Sequence, residues 1–136
     1  MIGLDINVLV RYIVQDAPEQ AAAAAALIES QCSTERPGWI DSVALCQLVW
    51  VLESAHGYPR DVVADVLTQL LNTAELDVES PDQTWLALRA YRQDRADFAD
   101  YLIGARNKAQ GCKVTYTFDK RAAKSHWHRL VGSTCL

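Results

Sequence analysis

Residues 96–120 read ADFADYLIGARNKAQGCKVTYTFDK. The stretch predicts a helix with two carboxylates near its start, a stop at Gly111, and a strand over 113–118 ending in a third carboxylate. Asp97 and Asp100 are three residues apart, so a helix sets them on one face with roughly 5–6 Å between their Cβ atoms. Gly104 continues that face with no side chain to block it, while Phe98, Leu102, Ala105 and Ala109 form the apolar stripe. Asp119 follows a strand, where open α/β sheets present their ligand sites. An apolar run containing an acid recurs at the N-terminus, where IGLDINVLV carries Asp5. Carboxylates converging from distant segments repel one another, and a bound cation is the usual remedy. The pattern points to an acidic site that holds a metal.

The 136 residues suit one domain with a real core, and 50% apolar with 22% charged residues is ordinary for a soluble globular chain. The net charge of −4 is unevenly spread. From Gly104 onward seven basic side chains face the single acid Asp119, leaving that segment at +6. It offers phosphates a local landing surface, although a solvated basic helix and tail would give the same count. The four cysteines (32, 46, 112, 135) have no metal-binding spacing and read as reduced, with Cys46 in the core. The chain opens on an apolar pattern without a basic leader, and no apolar run approaches a membrane span. These features predict a cytoplasmic protein.

Outward from the acidic stretch, Ile2–Val10 reads as a short strand in which Asp5 and Asn7 share a face. Pro18 opens a helix carried by EQAAAAAALIESQ. Pro37 and Gly38 break the chain before a short strand at WID. Ser42 is the expected cap of a helix whose next ten residues, VALCQLVWVL, contain nine apolar ones. A helix apolar all round is expected to be buried all round, so Gln47 should need a polar partner. Gly57 ends that helix and Pro59 starts another, with Val62, Val63, Val66, Leu67, Leu70 and Leu71 at helical spacing. A strand at ELDVE, a helix from Pro81, a short helix over 120–125 and a strand over 129–131 complete the series. Strands alternating with helices imply an α/β fold with a parallel sheet.

Each acid also has a structural explanation. Asp5 and Asp119 both stand where a carboxylate caps a following helix, and capping is the stronger reading of Asp97. Asp100 lies one turn inside its helix, where capping is no explanation. His126 and His128 lack a third ligand, which argues against a metal there.

The stretches LDINVLVRY, SVALCQLVWVLES, ADFADYLIGARNKAQGC and TFDKRAAK occur in an order and spacing that resemble a PIN domain. The particular likeness is to the VapC-type ribonuclease toxins of bacterial toxin–antitoxin pairs. The resemblance covers essentially the whole chain, so residues 1–136 are expected to form one domain. It implies a three-layer α/β/α sandwich around a central parallel sheet, with Mg²⁺ or Mn²⁺ held for hydrolysis of RNA. By motif, Asp5, Asp100 and Asp119 correspond to the metal-binding acids, Asp97 to an accessory, and Asn7 and Thr117 to their polar supports. The same resemblance implies a homodimer and a cognate antitoxin as partner.

Two positions depart from the family pattern. Ile6 stands where Thr is usual, and Gln47 replaces a Glu normally carried by the middle helix. Glu53 lies about 240° round that helix from Gln47 and is no simple substitute, and Asp41 sits just outside it. Gln47 keeps a carbonyl oxygen but lacks the charge, which predicts weaker metal binding and turnover. A catalytically impaired module that binds RNA or an antitoxin is therefore the competing reading. A haloacid-dehalogenase-like phosphatase would want a second acid where Asn7 stands.

Overall fold

The computed structural model describes residues 1–132. Among them are six α-helices and five short strands, all paired in parallel, and the chain divides into two compact units.

The first unit, residues 1–81, holds a parallel sheet in the order β1 (Ile2–Gly3), β2 (Gly38–Ile40), β3 (Leu76–Val78). Two helices bridge each successive pair of strands, as parallel pairing requires a crossover. They are α1 (Ile6–Val14) with α2 (Pro18–Gln31), then α3 (Ser42–Ser54) with α4 (Arg60–Asn72). Gly38 is needed where it stands, because a Cβ there would lie 2.8 Å from both Cys32 Sγ and Leu4 Cδ1. The core gathers Leu9, Ile40, Leu45, Leu48, Leu52 and Leu67, all essentially buried. Each such side chain contributes about 1.5–3 kcal/mol by leaving water. Of the apolar positions on α4, Val63, Leu67 and Leu70 are core, and Val62 is exposed.

Several sequence expectations are corrected here. The N-terminal run is not a strand through Val10, because β1 ends at Gly3 and Ile6 begins a helix. Its β-branched residues favour a strand locally, but burying Leu9 and Val10 on one helical side decides otherwise. Asp5 and Asn7 consequently do not share a strand face. The cap of α3 is Asp41, whose side chain accepts from Ala44 N at 2.8 Å; Ser42 is the first helical residue, and its buried hydroxyl has no partner among the described residues. Nor is α3 buried all round. Val43, Gln47 and Trp50 form an exposed stripe, so Gln47 meets solvent and needs no buried partner. Cys46 is half-buried rather than fully in the core; Cys32, Cys46 and Cys112 form no disulfide, and Cys135 lies outside the described residues.

The second unit, residues 82–136, contains nearly all of α5 (Pro81–Gln93), then α6 (Phe98–Gln110), β4 (Thr115–Thr117), a 3-10 turn (Ala122–Lys124) and β5 (His128–Leu130). Its parallel pair β4–β5 is a separate ladder, so the strands group as three and two rather than in one hydrogen-bonded sheet. Gly111 ends α6 in the left-handed conformation (φ 111°), which glycine adopts at no steric cost. Tyr91 and Phe98 pack edge to face with centroids 5.9 Å apart, and Tyr101 meets Trp127 similarly at 6.5 Å. Ala109, expected in the apolar stripe of α6, is exposed.

Candidate functional site

In the first unit Asp5 occupies the N-cap position of α1, with extended backbone (φ −74°, ψ 158°), yet its side chain makes no capping bond. Its Oδ2 instead accepts from Asn7 Nδ2 at 3.3 Å, and the carboxylate is exposed. Gln47 also lies in this unit, on the exposed stripe of α3. Sequence reasoning passed over Glu79, which follows β3 and accepts from Ser42 N at 2.9 Å. That bond supports the start of α3 beside the Asp41 cap.

In the second unit three of the expected acids come together. Asp97 is at the N-cap of α6 but makes no capping bond through its side chain, so the capping role expected of it is not realised. Asp100 is one turn in and half-buried. Burial, first, and then the neighbouring charges of Asp97 and Asp119 hold its carboxyl above the usual aspartate range, against an opposing effect of His128. Asp119 does cap: its Oδ1 accepts from Arg121 N at 2.7 Å and Ala122 N at 3.1 Å, starting the 3-10 turn. Thr117 Oγ1 accepts from Asp119 N at 2.9 Å, bracing the acid from the strand side.

Behind Asp100 lies a support that sequence reasoning missed. Gly104 does not leave its face of α6 open, because the His128 ring occupies it. A Cβ on Gly104 would stand 2.5 Å from His128 Cε1 and 2.8 Å from Trp127 Cβ. The His128 ring is buried, and its Nδ1 lies 2.7 Å from Ser125 Oγ. Burial holds this imidazole below its ordinary pKa, although Asp100 and Asp119 act the other way. That shift favours the neutral ring, to whose Nδ1 the Ser125 hydroxyl can donate. The one available signal was the pairing of a helical glycine with a downstream histidine.

Every candidate ligand here offers oxygen, the donor set that Mg²⁺ and Mn²⁺ prefer. Among the described residues no three His, Cys, Asp or Glu side chains stand in chelating geometry. That is compatible with Mg²⁺, which commonly keeps several waters and takes only one or two carboxylates from the protein. A cleft of about 630 Å³ opens elsewhere in the second unit, with Arg89, Lys124 and His126 around Tyr101 and Trp127. Among the described residues no helix is long and apolar enough to cross a membrane.

The PIN domain profile matches residues 2–126, and the chain belongs to the PIN domain family. No curated protein and no solved structure matches it.

Proposed function

We propose that this chain is a Mg²⁺- or Mn²⁺-dependent endoribonuclease of the VapC type, a cytoplasmic toxin restrained by a cognate antitoxin. PIN domains are generally nucleases, and that membership supports a nuclease-like function. The observation that carries the finer reading is Asp100, whose proton affinity is raised by burial and by Asp97 and Asp119. A cation beside it would relieve that repulsion. The reading treats residues 1–136 as one PIN-like domain, supported by a profile match that runs through both units.

Metal ligation is assigned to Asp5, Asp100 and Asp119, resting for Asp5 on the family resemblance, with Asp97 as accessory. A bound divalent cation would supply a nucleophilic water at neutral pH and offset charge on the phosphate under attack. Asn7 and Thr117 orient the first and last acids through the contacts described above. His128 packs on Gly104, one turn along α6 from Asp100, and so backs the turn that carries that carboxylate. Basic side chains of the C-terminal quarter hold flanking phosphates. Gln47 contributes at most a neutral oxygen, so turnover is expected to be slow. A homodimer and an antitoxin segment complete the proposed partners.

The chain is expected to cut single-stranded RNA only with added Mn²⁺ or Mg²⁺, and Asp100→Asn should lower the rate by about 100-fold or more. Gln47, standing where the family resemblance expects an acid, favours the second reading of an impaired module that binds RNA or an antitoxin. Metal-independent RNA binding without cleavage would decide for it.

A further inference from the structure

The β4–β5 ladder has two unlike faces. Thr115 and His128 point towards α6, where Asn107 Nδ2 donates to Thr115 Oγ1 at 3.0 Å and the His128 ring covers Gly104. Away from that side, Tyr116 of β4 is 61% exposed, and Phe118, in the bend just past the strand, is 81% exposed. Parallel strands are ordinarily buried on both faces. Two large aromatics left in water on such a ladder are therefore informative in a way that a scattered exposed leucine is not.

The neighbours of these rings are cationic. The register places Arg129 beside Tyr116, and the bond from Val131 N to Thr117 O carries the pairing on towards Phe118. Lys113 precedes β4, and Lys120 and Arg121 follow Phe118 by way of Asp119, all exposed. Two exposed aromatics at the end of a sheet, with cations around them, suit splayed, single-stranded bases. Phe118 is also the residue immediately before Asp119.

We propose that Tyr116 and Phe118 form a base-stacking platform for single-stranded RNA, with Arg129, Lys113, Lys120 and Arg121 engaging the phosphates around it. The inference deepens the ribonuclease reading and rests on it for the choice of RNA. Aromatic faces accept any base, so the platform confers a preference for unpaired strands rather than for a sequence. In a duplex the base faces are already stacked and unavailable to the rings.

The test is fluorescence anisotropy of the full chain with a short labelled single-stranded RNA, and with the same sequence as a duplex, in EDTA so that cleavage plays no part. Tyr116→Ala and Phe118→Ala should each weaken single-strand binding by roughly tenfold, and the double variant by roughly a hundredfold, with circular dichroism and Tm unchanged. Duplex binding should be weaker at the start and respond little. Arg129→Gln should instead reduce the salt dependence of binding by about one counterion, which neither aromatic change does. Unaltered single-strand affinity in the folded double variant overturns the platform, as does failure of the original chain to bind RNA. Light scattering that finds a dimer converted to monomer by the double variant, without loss of RNA affinity, assigns the face to a second copy instead. Aromatic-dependent binding without cleavage on adding Mn²⁺ leaves the platform standing and removes the ribonuclease reading.

Discussion

Helices α3 and α6 both begin behind an aspartate, and the two carboxylates are used differently. Asp41 spends its charge on the fold, accepting from Ala44 N while Glu79 accepts from Ser42 N. Asp97 occupies the same cap position with similar backbone angles, yet makes no capping bond, and Asp100 one turn on is held half-buried against two further acids. Asp5 at the start of α1 resembles Asp97 in this respect. A carboxylate at a helix start is thus not structural by default. At these two helices, meeting or missing the amides of the first turn is what distinguishes Asp41 from Asp97.

The largest effect that would sharpen this contrast is expected at Gln47. Restoring a carboxylate by Gln47→Glu should raise Mn²⁺ affinity and RNA cleavage by roughly 10–100-fold, the scale on which ligand support tunes metal sites. Calorimetric titration with Mn²⁺ and a cleavage assay read it. Because Gln47 is exposed, Tm without metal should hardly change. Equal metal affinity in both proteins would remove Gln47 from the site.

Next in size is the seat of His128. Gly104→Ala puts a Cβ into the His128 ring and against Trp127 Cβ, a rigid neighbour near the backbone. Overpacking of this kind costs about 1–3 kcal/mol, outweighing the gain in helix propensity of up to about 1 kcal/mol. Urea unfolding should show a lower midpoint at an unchanged slope.

The caps themselves give a smaller and more direct comparison. Asp41→Ala should cost about 1 kcal/mol and lower Tm by about 3–5 °C. Asp97→Ala, which loses no capping bond, should stay within about 0.5 kcal/mol. Matching losses in thermal melts of the two variants would erase the distinction drawn between them.

The smallest effect is the pH dependence of Asp100. Its carboxyl binds protons more tightly folded than unfolded, so between the two pKa values the native chain holds more protons and stability falls as pH rises. Asp100→Asn removes that penalty. The variant should melt higher at pH 7 without metal, by a margin that solvent screening keeps small at a half-exposed group. The difference should close below the ordinary aspartate value of 3.8, where both states are protonated. A gain that persists in acid would have another cause.

Much of this molecule was set by signals that act within a turn of chain. Pro18, Pro59 and Pro81 restrict φ, and each stands at or just before the first residue of its helix; Gly111 supplies the left-handed stop of α6. The spacing of Asp97 and Asp100, and of Thr117 and Asp119, is likewise local, so the sequence alone placed them near one another. Tertiary packing decided the rest. Whether Ile6–Val14 became helix or strand depended on which side buried Leu9 and Val10, and propensity alone points the wrong way. The apolar run of α3 could not reveal that one stripe meets water, because exposure depends on how many neighbours a helix has and not on its own composition. Gly104 and His128 lie far apart in the chain, and only the meeting of β5 with α6 turns an apparently open helix face into the support beneath Asp100.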